Sequence, residues 1–201
     1  MPLIRRPSPA APDPAAPAPA FTGGTAEERW AAARAAAGSA EAVPTLAAAL
    51  ATEPDMRVRE AIFTSLALID TDASVQAVLA HVRSDDAGMR TAALDALRAM
   101  PRRAGRHLPA LLRDPDADVR ILACDLCRSV APPELHALLG PLLETEPEAN
   151  VCAAAVEVLA DGGGPDILPA LSRCAARFGG DPFLAFSIRI AAARIAAQRC
   201  G

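Results

Sequence analysis

Tyrosine and lysine are absent from this 201-residue chain, and aromatic residues make up only 3% of it. Strands draw on aromatic and β-branched side chains. The shortage therefore disfavours a sheet, while the Ala-rich apolar remainder suits packed helices. Every one of the 20 basic residues is arginine, and with 24 acids the formal net charge is -4, which argues against a general nucleic-acid or anionic-membrane surface. No stretch approaches the roughly 18 to 20 uninterrupted apolar residues of a membrane span. A secretory signal is missing too: Arg5-Arg6 is followed by alternating Pro and Ala where a signal needs an apolar core. The five cysteines (Cys124, Cys127, Cys152, Cys174, Cys200) are an odd number on expected helices. Reduced thiols in a cytoplasm are the simple expectation.

What the chain does contain is a repeat. The stretch Asp114 to Leu126 is restated at Glu53 to Leu66, Asp85 to Leu97, Glu146 to Leu159 and, more loosely, Asp181 to Ala192. The anchor pairs Val58-Arg59, Met89-Arg90, Val119-Arg120, Val151-Cys152 and Leu184-Ala185 follow one another at 31, 30, 32 and 33 residues. A fixed period of that length marks a solenoid, in which each unit buries its apolar face against its neighbours. Residues 1–24 hold seven prolines and no hydrophobic periodicity, and read as a disordered, partly polyproline-II tail. The folded domain is expected over residues 25–201, starting at Thr25, which has Glu28 at capping-box spacing.

Each unit reads as helix, short turn, helix. Acids and prolines mark the joints: Glu53-Pro54-Asp55, Asp85-Asp86, Asp114-Pro115-Asp116, Glu146-Pro147-Glu148 and Asp181-Pro182. Acids there can cap the helix that begins next. The second helices share one slot, from Val43-Pro44-Thr45-Leu46 through Val75, Leu108 and Leu135 to Leu168-Pro169-Ala170-Leu171, with proline where a first-turn N–H lacks a helical partner anyway. The expected fold is all-α: an α-α superhelix of about five helix pairs plus a terminal half-repeat.

The V-R-x-x-A-x-x-x-L helix followed by x-V-P-x-L, at this period, resembles the bacterial HEAT-like repeats named after the phycobilisome lyases, over about residues 25–195. The resemblance implies an inter-repeat ladder of joint aspartates and V-R arginines: Asp55 and Arg59, Asp86 and Arg90, Asp116 and Arg120. Cys152 and Ala185 stand where later arginines belong, so the ladder is expected to break after the fourth first helix. Di-iron hydroxylases built from such repeats use His-Glu pairs, and His81, His107 and His136 belong to none. A helical-repeat DNA glycosylase would want a basic groove with aromatic residues, against the single Trp30 here.

Other chemistry is weak. Cys124-Asp-Leu-Cys127 has the C-x-x-C spacing of redox and metal motifs, yet the two thiols align with Phe63, Leu94 and Val156 and with Leu66, Leu97 and Leu159, which makes them core residues. Cys152, in a ladder position, is expected to be partly exposed and is the thiol to consider for modification. Gly162-Gly163-Gly164 lacks the flanking signals of a phosphate loop and reads as a flexible connector. No catalytic, cofactor-binding or metal-ligating set emerges.

Charge is uneven. Arg98, Arg102, Arg103, Arg106 and Arg113 have no acid among them, while Ser129 to Ser172 carries seven acids and no arginine. A partner groove is expected on the second helices, along Thr45, Ala77, Ala110, Ala137 and Ala170 and along Ala48, Ala80, Arg113, Gly140 and Arg173, where small residues would admit a partner helix. At the C-terminal end, Phe183, Phe186 and Ile190 either form a docking or homodimer surface or tuck inward as a cap, while Leu184, Ile188, Ala191 and Ile195 face the preceding unit. The reading is a non-enzymatic, cytoplasmic adaptor or scaffold that binds a protein, with neither nucleic acid nor membrane as partner and no cofactor. The rival is a chromophore-lyase-type subunit or a maturation factor that presents a client for modification.

Overall fold

The computed structural model describes residues 21 and 23–197. Helices come in consecutive pairs: α1 (Ala26–Ala35) with α2 (Val43–Leu50), α3 (Met56–Ile69) with α4 (Asp72–Leu79), and α5 (Ala87–Arg98) with the short pieces α6 (Pro101–Ala104) and α7 (Leu108–Leu111). They continue with α8 (Ala117–Leu126) and α9 (Pro132–Thr145), then α10 (Ala149–Gly162) and α11 (Leu168–Arg177), and α12 (Pro182–Ala197) has no second helix after it among the described residues. First helices pack on first helices, as α1 on α3 on α5 and α8 on α10 on α12, and second helices on second helices, as α2 on α4 and α9 on α11. Two helical layers, five pairs and a terminal half-repeat, with no strand among the described residues, make the expected α-α superhelix.

Local sequence explains where the helices start. Thr25 and Glu28 form the capping box: Thr25 Oγ1 accepts the Glu28 N–H, and the Glu28 carboxylate accepts the Thr25 N–H at 2.7 Å. Asp55, Asp86, Asp116 and Asp181 each accept backbone N–H groups two or three residues on, satisfying donors a helix start leaves open. Glu148 stands in the same position but makes no such bond. Three second helices begin differently: a 3-10 turn (Ala40–Ala42, Gly105–His107, Pro165–Ile167) runs into a helix whose second residue is Pro44, Pro109 or Pro169. There the missing N–H costs nothing. Between α3 and α4 the chain reverses at Asp70, the one described non-glycine residue with positive φ (44°), and Thr71 caps α4 at once.

The repeat anchors form the core. Val58, Met89, Val119, Val151 and Leu184 are all buried, as are the two slots that Cys124 and Cys127 share with Phe63, Leu94, Val156, Leu66, Leu97 and Leu159. Two expectations need correction. Phe21 is buried in the core at 4% exposure, and the Gly24 carbonyl accepts from Arg29, so the folded unit reaches back past Thr25. The rest of the expected tail, residues 1–20 and 22, lies outside the described residues. Nor is Gly162-Gly163-Gly164 a loose connector: a Cβ on Gly163 would lie 2.4 Å from the Leu159 carbonyl oxygen and 3.3 Å from Ile195 Cδ1, and the Gly164 N–H donates to His136 Nε2 at 2.8 Å. Glycine is used there because the backbone comes too close for a side chain.

Candidate functional site

An arginine ladder crosses the joints; one rung, Arg59 to Asp86 of the next joint, is of the expected kind, and the others have different partners. Of the six residues Asp55, Arg59, Asp86, Arg90, Asp116 and Arg120, a single ion pair is made, Arg59 with Asp86 at 3.0 Å. The aspartates are occupied in capping. The arginines bind instead to the residue two places before each cap. Its carbonyl takes a donor from the arginine six residues on: Glu53 from Arg59, Ser84 from Arg90, Asp114 from Arg120. Its carboxylate is held by an arginine from the preceding repeat: Glu53 by Arg29 and Glu146 by Arg120, both bidentate, and Asp114 by Arg83. These acids are buried at 3%, 5% and 5% exposure for Glu53, Asp114 and Glu146, where an unpaired charge is costly. Arg29 was legible in the sequence, since Thr25-to-Arg29 has the spacing of Asp55-to-Arg59.

The expected break at Cys152 is bridged from the other layer. Arg177, on α11, donates to the Glu144 carbonyl at 2.8 Å and to the Glu146 carbonyl at 2.7 Å. The second of these is the joint carbonyl that a ladder arginine at position 152 would have served. The cysteine itself corrects the expectation of partial exposure, because it is fully buried.

Charge is less segregated in space than along the chain. Arg98 pairs with Asp95 and Asp125, Arg103 with Asp70 and Asp72, and Arg106 with Asp72. The acidic section is met by Arg128 on Asp125, Glu157 and Asp161, by Arg194 on Asp161 and by Arg173 on Glu144. Asp95, Arg98, Asp125, Arg128, Glu157, Asp161 and Arg194 thus form a network of mixed sign along the C-terminal ends of the first helices. Such exposed pairs set register and orientation more than stability. A basic middle facing an acidic later section is therefore not what a partner would meet.

The second-helix layer provides only part of the expected groove. Thr45, Ala80, Ala110, Arg113, Ala137 and Arg173 are exposed, Ala77 is half-buried, and Gly140 and Ala170 are buried. Ile167 packs over Gly140, its Cδ1 lying 3.4 Å from where a Cβ would be. Arg113 and Ala137 meet in a shallow depression of about 180 Å³ between α7 and α9, beside Pro109, Leu138 and Pro141. Arg173 is engaged with Glu144.

The first-helix layer carries the larger and more apolar surface. Among the described residues the exposed large hydrophobics are Met56 (64%), Leu68 (67%), Phe183 (68%), Phe186 (52%) and Ile190 (43%), and all five line two grooves on this layer. One, of about 720 Å³, runs between α3 and α5; the other, of about 410 Å³, runs between α10 and α12. They are the same repeat position used twice: Glu60, Phe63, Thr64 and Ala67 in the first correspond to Ala153, Val156, Glu157 and Ala160 in the second. In the second groove Phe183, Phe186 and Ile190 stand where the first has Gly88, Thr91 and Asp95. The alternative of an inward-tucked cap is thus decided: Leu184, Ile188, Ala191 and Ile195 are buried, and the two phenylalanines are not. Arg189 lies over the Phe186 ring at 5.2 Å. Met56 and Leu68 were missed because single apolar residues outside the helical spacing give no sequence signal.

The HEAT repeats family matches residues 20–98 and 106–178, so the chain belongs to the HEAT-repeat family. It is a helical-repeat scaffold of the kind that serves protein interaction. The gap between the two matched blocks, residues 99–105, falls on α6, the first piece of the segmented second helix of the third pair. None of the curated proteins matches the chain. Among solved structures it is similar to the crystal structure of an engineered protein from the Northeast Structural Genomics Consortium, at 19% identity over 88% of this chain and 94% of that one, with a TM-score of 0.37. A likeness at that level carries no argument. Among the described residues no helix is long and apolar enough to cross a membrane.

Proposed function

We propose that the chain is a non-enzymatic, cytoplasmic scaffold that docks a partner protein on its first-helix layer, with the α10–α12 groove as the main site. One observation carries this reading: the exposed large apolar side chains are gathered in two equivalent grooves, not scattered. Scattered apolar residues are ordinary surface, but gathered ones mark interaction sites. The occupant that fits is an amphipathic helix. The α10–α12 groove has a floor of Ala153, Ala154 and Ala160, a wall of Phe183, Phe186 and Ile190, and the charges of Glu157 and Arg194 at its rim. A helix with apolar residues three and four apart would fill the floor and wall.

The test compares wild type with the double substitution Phe183→Ser, Phe186→Ser. Stoichiometric recovery of one protein partner by wild type, loss of it in the double variant, and an unchanged melting temperature support the reading. Equal recovery by both proteins places the site elsewhere, and a coloured ligand that purifies with the chain favours the lyase-type rival. Dimerisation that depends on concentration and vanishes in the double variant would make a second copy of the chain the occupant.

A further inference from the structure

The α3–α5 groove differs from its α10–α12 counterpart in charge. Glu60 and Asp95, both exposed, are the only charged residues that line it. Asp95 shares Arg98 with Asp125, so one guanidinium serves two carboxylates. The α10–α12 groove is lined instead by an acid and a base, Glu157 and Arg194. Around its two acids the α3–α5 lining is small and apolar, with Ala67 and Ala92 between exposed Met56 and Leu68. In the repeat register Glu60 is level with Thr91, Thr64 with Asp95 and Leu68 with Ala99. From its Met56 end the groove therefore presents Glu60, then Asp95 about one helical turn further on, then the apolar end at Leu68.

We propose that Leu3, Ile4, Arg5 and Arg6 of the same chain occupy the α3–α5 groove, with Arg6 and Arg5 against Glu60 and Asp95 and with Ile4 and Leu3 toward Leu68. The composition of residues 1–20 selects this segment: their bulky apolar residues are Met1, Leu3 and Ile4, and their charged ones are Arg5, Arg6 and Asp13. Followed back from the fold, the chain thus offers two bases and then an apolar pair, the order in which the groove offers acids and then Leu68. The point of entry fits as well. Phe21 is buried and the Gly24 carbonyl accepts from Arg29 at the start of α1, while the Arg29–Glu53 and Arg59–Asp86 pairs bring the starts of α1, α3 and α5 to one side of the layer. At ordinary helix spacing the Met56 end of the groove is about 15 Å from that point. Residues 7–20, with six prolines, can span about 40 Å at polyproline rise. Tethering gives the segment an effective concentration on the order of millimolar, which suits a contact of two apolar residues and two ion pairs. In the α10–α12 groove Arg194 would face the two arginines. The chain thereby covers its own larger groove and leaves the α10–α12 groove open, and the contact stands on its own residues whether or not a partner docks there.

The experiment is photo-crosslinking in the full-length chain with p-benzoylphenylalanine in place of Ile4, mixed with isotope-labelled wild-type chain and mapped by peptide mass spectrometry. The expected crosslinks fall on α3 and α5 of the chain that carries the probe, at a yield independent of protein concentration and lowered by salt. Adding Arg5→Glu and Arg6→Glu should cut that yield severalfold, and Glu60→Arg in the same background should restore part of it, a rescue that apolar sticking alone would not give. Without the probe, the Met56 methyl resonance of methyl-labelled protein should move in the Leu3→Ser, Ile4→Ser double variant, while that of buried Met100 stays in place. Crosslinks to the labelled chain would make a second copy the occupant and overturn the proposal. Crosslinks to α10 and α12 would overturn it too. So would a crosslink yield and a Met56 resonance indifferent to these substitutions, an outcome that leaves the groove to a foreign partner.

Discussion

Arg120→Ala tests whether the ladder is a buried structural element or a decoration of the joints. Arg120 makes four hydrogen bonds: two to the Glu146 carboxylate at 2.9 and 2.8 Å, and two to the Asp114 and Pro115 carbonyls at 2.8 and 3.1 Å. The side chains of the pair are 11% and 4% exposed. Alanine leaves the Glu146 carboxylate buried with the Glu148 N–H as its remaining donor. Removing one member of a buried pair costs about 3–5 kcal/mol, and a domain of this size loses roughly 2–4 °C per kcal/mol. The melting temperature should therefore fall by about 6–20 °C. Arg128 is the control: it makes three ion pairs, more than Arg120, yet its side chain is 39% exposed. Exposed pairs are worth about 0–1 kcal/mol, so Arg128→Ala should cost at most a few degrees. Thermal melts followed by circular dichroism read both, and hydrogen exchange should localise the Arg120→Ala loss to the α8–α10 junction, because repeat arrays depend on nearest-neighbour contacts. Equal losses in the two variants would show that burial does not decide the matter and would refute the reasoning.

Three further outcomes follow from the same structure. Hydrogen bonds from Arg29 hold the Glu53 carboxyl below its usual range; the stability this contributes is present above the unfolded carboxylate value of about 4.3 and is lost as pH falls through the lower folded value. Denaturation measured against pH should lose that acid-side slope in Arg29→Met, and an unchanged slope would count against the pair. Gly163→Ala should lower stability by about 1–3 kcal/mol through overpacking, whereas Gly180→Ala, with nothing within 4 Å of the new Cβ, should not; equal melts for the two would contradict the close packing of the α10–α11 turn. The double substitution Phe183→Ser, Phe186→Ser should change stability by no more than about 0.5 kcal/mol, since both rings are more than half exposed; a large loss by chemical denaturation would mean that they serve the core.

Much of the fold was legible in the chain because a solenoid's code is local. A helix pair must bury the same stripe against each neighbour, so Val58, Met89, Val119 and Val151 recur at the period of the structure, and the caps at Asp55, Asp86 and Asp116 sit where the repeat places them. The same logic settled Cys124 and Cys127 as core. Only the tertiary structure decided which groups pair across repeats. A periodic sequence says that arginines and acids recur, but not whether Arg120 meets Asp116, four residues away, or Glu146, 26 residues on. That choice depends on which carboxylate the neighbouring repeat leaves buried and uncapped. For the same reason Arg177 could replace the arginine missing at Cys152: it lies in the other helix layer, which no spacing within the first-helix motif describes. Exposure had to be seen as well. Leu184 and Phe183 are adjacent in sequence and alike in hydrophobicity, yet one is fully buried and the other 68% exposed, because α12 packs on α10 and α11 with only part of its circumference.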